Sequence, residues 1–291
     1  MFHALDCVVC IQRQALEAAR FVSQDPEIHE RVLERTMRIQ LEEGLKAASP
    51  YLGTLVHRAV REITNNPDPY YEKKKFFNRS ALERWDVFQR WIRESADPFE
   101  TTVRLAIAGN SIDFAMESIT EERVNAMIGA ATSQPLHGSI EKLRDAFHRA
   151  KSILYLTDNA GEIVYDRLLI EALVSDQFKK DVVVVTRGAP IINDALLEDA
   201  HEVGLDAVAP VISNGGDGLG VIFDMTSDEF KERFLAADLV VAKGLANFET
   251  LWEGDPRFKA KEIAFLFKVK CPFISKVVGA NLNDLAILLQ S

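Results

Sequence analysis

After residue 150 the chain reads as short, unbroken apolar runs alternating with helical stretches, and this alternation limits the fold most sharply. The runs at 153–157, 182–186, 207–212, 239–242, 263–267 and 273–277 are predominantly apolar, as strands buried on both faces require. Between several of them lie 163–175, 195–203 and 228–237, which carry apolar residues at helix-like spacing. Strand–helix–strand alternation predicts a mostly parallel sheet with covering helices.

The preceding residues obey a different pattern. The stretches 17–22, 27–43, 52–63, 80–94, 98–118, 121–131 and 140–150 all have helical periodicity. Breakers separate them at Asp25-Pro26, Ser49-Pro50, the run from Asn65 to Pro69, Asp97-Pro98 and Gln134-Pro135. No repeat or low-complexity linker interrupts the chain. The expected architecture is α/β: an all-helical N-terminal domain, 1–150, packed on a C-terminal Rossmann-like domain, 151–291.

Charge and cysteine content narrow the function. A formal net charge of −10 over 291 residues leaves no basic excess for phosphate backbones, so a general nucleic-acid binder is excluded. No apolar run reaches the length of a membrane span, and the N-terminus lacks the layout of a signal peptide. Cys7, Cys10 and Cys271 are too few and odd in number for a disulfide framework, which suits a reducing, cytoplasmic setting.

In an open parallel sheet, ligands bind beyond the carboxyl ends of the strands. Three such ends carry polar side chains: Asp158-Asn159 followed by Gly161 and Glu162; Arg187-Gly188 leading to Asn193-Asp194; and Lys243-Gly244 leading to Asn247 and Glu249. Carboxylates and an amide beside a lysine suit a hard divalent cation and a phosphoryl group. The alternative for Asp158, Asn159 and Asp194 is helix capping, and for Lys243 a strand end emerging into water. Within the apolar stretch 105–114, Asn110 and Asp113 share a helix face; they either satisfy one another in the core or reach the same cleft. The glycine cluster 215–220 fits neither a dinucleotide fingerprint nor a Walker loop, and either offers amides to a ligand or turns the chain. Cys7-x-x-Cys10 is either a pair of packed thiols or an accessory metal or redox site, with His3 and Asp6 nearby. A complete structural zinc site usually takes four ligands.

Taken in order, these pieces resemble the metal-dependent damage-control phosphatases, long catalogued as domain of unknown function 89, and in particular the small archaeal and bacterial type with an N-terminal Cys-x-x-Cys. The resemblance runs through Cys7-x-x-Cys10 with 13–20, Asp68-Pro69-Tyr70 with Lys74 and Asn78, Gly109-Asn110-Ser111-Ile112-Asp113-Phe114, Asp158-Asn159-Ala160-Gly161-Glu162, Pro190-Ile191-Ile192-Asn193-Asp194, and Lys243-Gly244 with Asn247 and Glu249. It implies one divalent cation (Mg²⁺, Mn²⁺, Co²⁺ or Ni²⁺) held by Asp158, Asn159 and Asp194, the nearby Asp199 being the rival for the last position. Lys243 would contact the phosphate, and Asn110 and Asp113 would line the site. Glu162, Asp113 and Glu249 are the candidates for proton transfer, and Asp158 is a candidate nucleophile. The implied activity is hydrolysis of small phosphorylated metabolites. An S-adenosylmethionine-dependent methyltransferase is the rival enzyme, disfavoured by the missing glycine fingerprint, and a non-catalytic phosphometabolite sensor is the third reading.

Overall fold

The computed structural model describes residues 4–109, 121–252, 256–258 and 260–290. Among the described residues, seven strands form one sheet in the order β1-β7-β6-β5-β2-β3-β4. The strands are β1 (Leu136–His137), β2 (Ser152–Leu156), β3 (Asp181–Thr186), β4 (Val211–Ser213), β5 (Leu239–Lys243), β6 (Ile263–Lys268) and β7 (Leu285–Gln290). Every pairing is parallel except β6 with β7. The expected α/β class and mostly parallel sheet are therefore present, with a helical N-terminal region preceding them.

Helices cover both faces. On one, α5 (Trp85–Glu94), α6 (Pro98–Ala108), α7 (Glu121–Thr132), α8 (Ile140–Arg149) and α9 (Glu162–Val174) share a core with β2, β3, β5, β6 and β7. On the other, α11 (Asp228–Ala236), α12 (Gly244–Leu251) and α13 (Pro272–Val278) enclose a phenylalanine-rich core that includes Phe230, Phe234, Phe248, Phe265 and Phe267. Full burial of one such ring contributes roughly 1.5–3 kcal/mol. A third, smaller core joins α1 (Leu5–Val22), α2 (Pro26–Glu43) and α3 (Ser49–Thr64) through Ile11, Ala15, Ala18, Val32, Ile39 and Val56. Alanines at 15, 18 and 19 let these helices approach closely.

Several sequence expectations need correction. The run 273–277 is helix α13, because Pro272 occupies its first turn, where a missing N–H is tolerated. The stretch 80–94 is two helices, α4 (Tyr71–Leu82) and α5. Of the third apolar run only Val211 and Ile212 enter the sheet, in β4 with Ser213, and β7 lies where no strand was expected. The sheet also reaches back across residue 150, since Leu136 and His137 pair with Leu285 and Ala286.

The α3 helix is clasped to the glycine-rich loop of the sheet region. Arg58 and Arg61 both bind Asp217, at 2.5 and 2.7 Å, and Leu219 N–H donates to Thr54 Oγ1 at 2.9 Å. Gly220 C=O accepts from Arg187 Nη1 at 2.9 Å. The cluster 215–220 thus straps the two regions together, and its Leu219 enters the wall of a cleft beyond the strand ends.

Candidate active site

Strands β2, β3 and β5 are neighbours and parallel, so their carboxyl ends open on one edge. The loops after β2 and β3 are then joined backbone to backbone. Asn159 and Asp194 form an antiparallel bridge, Ala160 N–H donates to Asn193 C=O at 2.9 Å, and Ala195 N–H to Asp158 C=O at 2.8 Å. Asp158, Asn159 and Asp194 are all buried and all line one cleft of about 520 Å³.

None of the three caps a helix. The N-cap of α9 is Gly161, without a side-chain hydrogen bond, and α10 (Leu197–Glu202) is capped at Leu196, whose N–H donates to Asp199. Asp199 is wholly buried and bonds Asn78 as well, which places it beneath the loop and outside the cleft lining. Between the two rivals, the structure therefore brings Asp194, not Asp199, beside Asp158.

The acids are held under electrostatic tension. Burial pushes the Asp158 carboxyl well above the usual carboxylate range, and the charges of Asp194 and Glu162 add to this, with Arg187 and Lys270 opposing. Burial also raises Asp194, despite its 2.7 Å ion pair with Arg187. Two buried carboxylates that share a single guanidinium between them would gain from an added cation. The Asn159 amide donates to Asp158 Oδ2 at 2.6 Å and Glu162 Oε2 at 3.3 Å; a turn about its last side-chain torsion presents the carbonyl oxygen instead. Two carboxylates and an amide do not fill an octahedral shell, and the remainder suits water and a phosphoryl oxygen. Among the described residues no three His, Cys, Asp or Glu side chains are grouped to hold an ion on their own. The donor set nevertheless fits a hard cation.

Gly244 makes room for this arrangement. It has φ +76°, and a Cβ there would collide with the Asp158 carboxylate. The carboxylate consequently rests on the amino end of α12, where helix polarity favours negative charge.

Lys243 lies under the cleft rather than in its wall. Its ammonium is fully buried and donates to Glu162 Oε1 at 2.7 Å, Asp166 Oδ1 at 2.6 Å and Ala106 C=O at 2.7 Å. All three N–H groups are spent. Burial opposes its charge, but Asp166 and Glu162 outweigh burial and hold its pKa above the ordinary lysine value. Burial lifts Asp166 to about 6, with Lys243 pulling down and Glu162 pushing up. Asn247 is likewise outside the cleft lining: its amide donates to Lys243 C=O and Thr157 C=O and accepts from Arg187. Glu249 does reach the cleft, from α12. Asn110, Asp113 and His3 lie outside the described residues.

Sequence reasoning overlooked several contributors. Arg187 joins Asp194, Asn247 and Gly220, and its position after a buried strand and before a glycine is the signal that singled out Lys243. Lys268 and Lys270, at the end of β6, and Arg13, on α1, line the same cleft, and none has an ion pair among the described residues. Burial and then Lys270 lower the pKa of Lys268. Their signal was a pair of lysines beyond a strand, in the segment Lys268-Val269-Lys270.

Cys7 and Cys10 sit one turn apart on α1 and also face this cleft, as does Cys271; all are free thiols. Burial raises the Cys7 thiol, against a hydrogen bond with Ser49.

Known proteins share this fold. The model of the damage-control phosphatase ARMT1-like domain matches residues 3–286. The chain belongs to that family. Membership makes it a phosphatase and accords with the floor of acids and the wall of lysines. It is 32% identical to a damage-control phosphatase of Archaeoglobus fulgidus over 284 residues, covering 96% of each chain. An uncharacterized protein of Methanocaldococcus jannaschii is 35% identical over 97% of this chain and 94% of its own. A crystal structure of a DUF89 family protein from Pyrococcus horikoshii superposes with a TM-score of 0.89, at 30% identity over 100% of both chains. Among the described residues of this family member, no helix is long and apolar enough to cross a membrane.

Proposed function

We propose that this chain hydrolyses phosphomonoesters of small metabolites in the cleft, with one divalent cation (Mg²⁺, Mn²⁺, Co²⁺ or Ni²⁺) held by Asp158, Asn159 and Asp194. The observation that carries the reading is the backbone bridge between the β2 and β3 loops, which sets two buried carboxylates side by side in a cleft also lined by Lys268 and Lys270. When bound, the cation neutralises the acids and draws charge from the phosphoryl group.

The chain's own residues supply the rest. Lys268 and Lys270 match the two negative charges of a phosphomonoester, a contact first expected of Lys243. Lys243 instead fixes Glu162, through the ion pair at its base, so that Glu162 faces the acids. Arg187 anchors Asp194 from below. The cleft walls contributed by α1, α3 and α13 exclude bulk water and receive the alcohol portion of the ester. A cytoplasmic setting and a small-molecule partner, with no nucleic acid, accord with the charge and cysteine content.

The test is phosphate release from a panel of phosphomonoesters with each of the four cations, before and after EDTA. Metal-dependent release abolished by chelation supports the proposal. Binding of esters without release would favour a sensor, and absence of both would remove the reading.

A further inference from the structure

Resting on the phosphatase reading, we infer that Glu249 is the catalytic acid that protonates the departing alcohol oxygen. Glu249 lines the same cleft as Asp158, Asn159 and Asp194. It lies on α12, whose first residue, Gly244, touches the Asp158 carboxylate. Five residues of helix set Glu249 about 7–8 Å from Gly244 along the axis, and helical side chains lean back towards the amino end. The carboxyl group therefore belongs to the wall of the cleft whose floor carries the acids.

Its surroundings leave the carboxyl free for this task. Among the described residues Glu249 has no hydrogen bond or ion pair, unlike Glu162, which is tied to Lys243 and Asn159. The titratable groups sharing its cleft are Asp6, Cys7, Cys10 and Arg13 on α1, the floor acids Asp158, Glu162 and Asp194, Lys268 at the end of β6, and Lys270. Cys271 closes the same wall. None of these charges sets its proton affinity: burial alone pushes it up to about 7. A carboxylic acid still protonated near neutrality is what departure of a basic alkoxide needs.

In this step a water oxygen forms the new bond to phosphorus while the bond from phosphorus to the ester oxygen breaks. The electron pair of the broken bond passes to that oxygen, which takes the Glu249 proton and leaves as an alcohol. The incoming water yields a proton to the phosphate product or to solvent, and solvent restores the proton on Glu249.

The test compares wild type with Glu249→Gln on a graded series of aryl phosphates, from p-nitrophenyl phosphate, whose phenolate departs without a proton, to phenyl phosphate. Wild-type kcat should vary little along the series. In E249Q the rate with p-nitrophenyl phosphate should stay within about threefold, which also shows that the variant folds, while phenyl phosphate loses about a hundred-fold or more. The basic limb of the wild-type pH profile with phenyl phosphate should vanish in E249Q. Equal losses on both esters, or no loss on either, overturn the assignment while the phosphatase reading stands. Wild-type protein that releases phosphate from neither ester with any of the four cations overturns both.

Discussion

Asn159 and Asp194 face each other across an antiparallel backbone bridge, although they belong to loops after different strands. The contact turns two separate strand ends into a single floor, with Asp158 beside Asn159 and Arg187 beneath Asp194. Because main chain makes the bridge, side chains can be changed one at a time without separating the loops.

Replacing Asp158 by Asn should abolish metal-dependent turnover, with a loss of about a hundred-fold or more. It should also abolish the rise in melting temperature that added Mn²⁺ gives the wild type. A cation at a hundred times its dissociation constant stabilises by about 2.7 kcal/mol, which thermal unfolding with and without metal resolves.

The two kinds of lysine should behave differently. Lys243→Met leaves Glu162 and Asp166 as buried, unpaired acids, and should destabilise by about 3–5 kcal/mol. Lys270, by contrast, is exposed at the cleft mouth, so Lys270→Ala should change stability by no more than about 0.5 kcal/mol. Its effect should fall on kcat/KM, about ten- to a hundred-fold, through lost attraction for the phosphoryl charge. Urea unfolding and steady-state kinetics on the same preparations separate the two.

Gly244→Ala introduces a methyl group into the Asp158 carboxylate at a φ of +76°. The carboxylate must shift, so metal affinity and turnover should both fall while the sheet remains intact. A displacement of about 1 Å at a reacting group is enough for about a hundred-fold. Titration calorimetry with Mn²⁺ beside circular dichroism would show the loss of affinity without loss of fold.

Glu249 also predicts a pH effect on stability. Its folded pKa of about 7 exceeds the ordinary value of 4.5, so the folded state keeps a proton the unfolded chain has released. Stability from this group is complete below pH 4.5 and is lost as pH rises through 7. Glu249→Gln removes the penalty, and should be more stable than wild type by on the order of 2 kcal/mol at pH 8 and by little at pH 4.5. Urea unfolding at the two pH values measures the difference.

The sheet and its polar edge were legible because buried parallel strands are written as continuous apolar runs, and the residues just beyond each run land on one edge. Asp158, Asn159 and Asp194 are recognisable in this way. Arg187-Gly188 carries the same signature as Lys243-Gly244 and marks the same edge. Burial depth was not legible: nothing local says that the Lys243 ammonium turns under the floor towards Asp166 and the end of α6, while Lys270 stays at the surface. The segment 273–277 resembles a strand because of Phe273, Ile274 and Val277, although Ser275 and Lys276 interrupt the run and a helix-starting proline precedes it. Strand β7 carries the same signature, an unbroken apolar run from Leu285 to Leu289, and was legible on the same rule.

The most direct test is an anomalous-scattering map of crystals soaked in Mn²⁺. One peak enclosed by the side chains of Asp158, Asn159 and Asp194, absent from crystals of the Asp158→Asn protein, is the expected result. An empty space between those three residues, with manganese bound elsewhere or nowhere, would contradict the account.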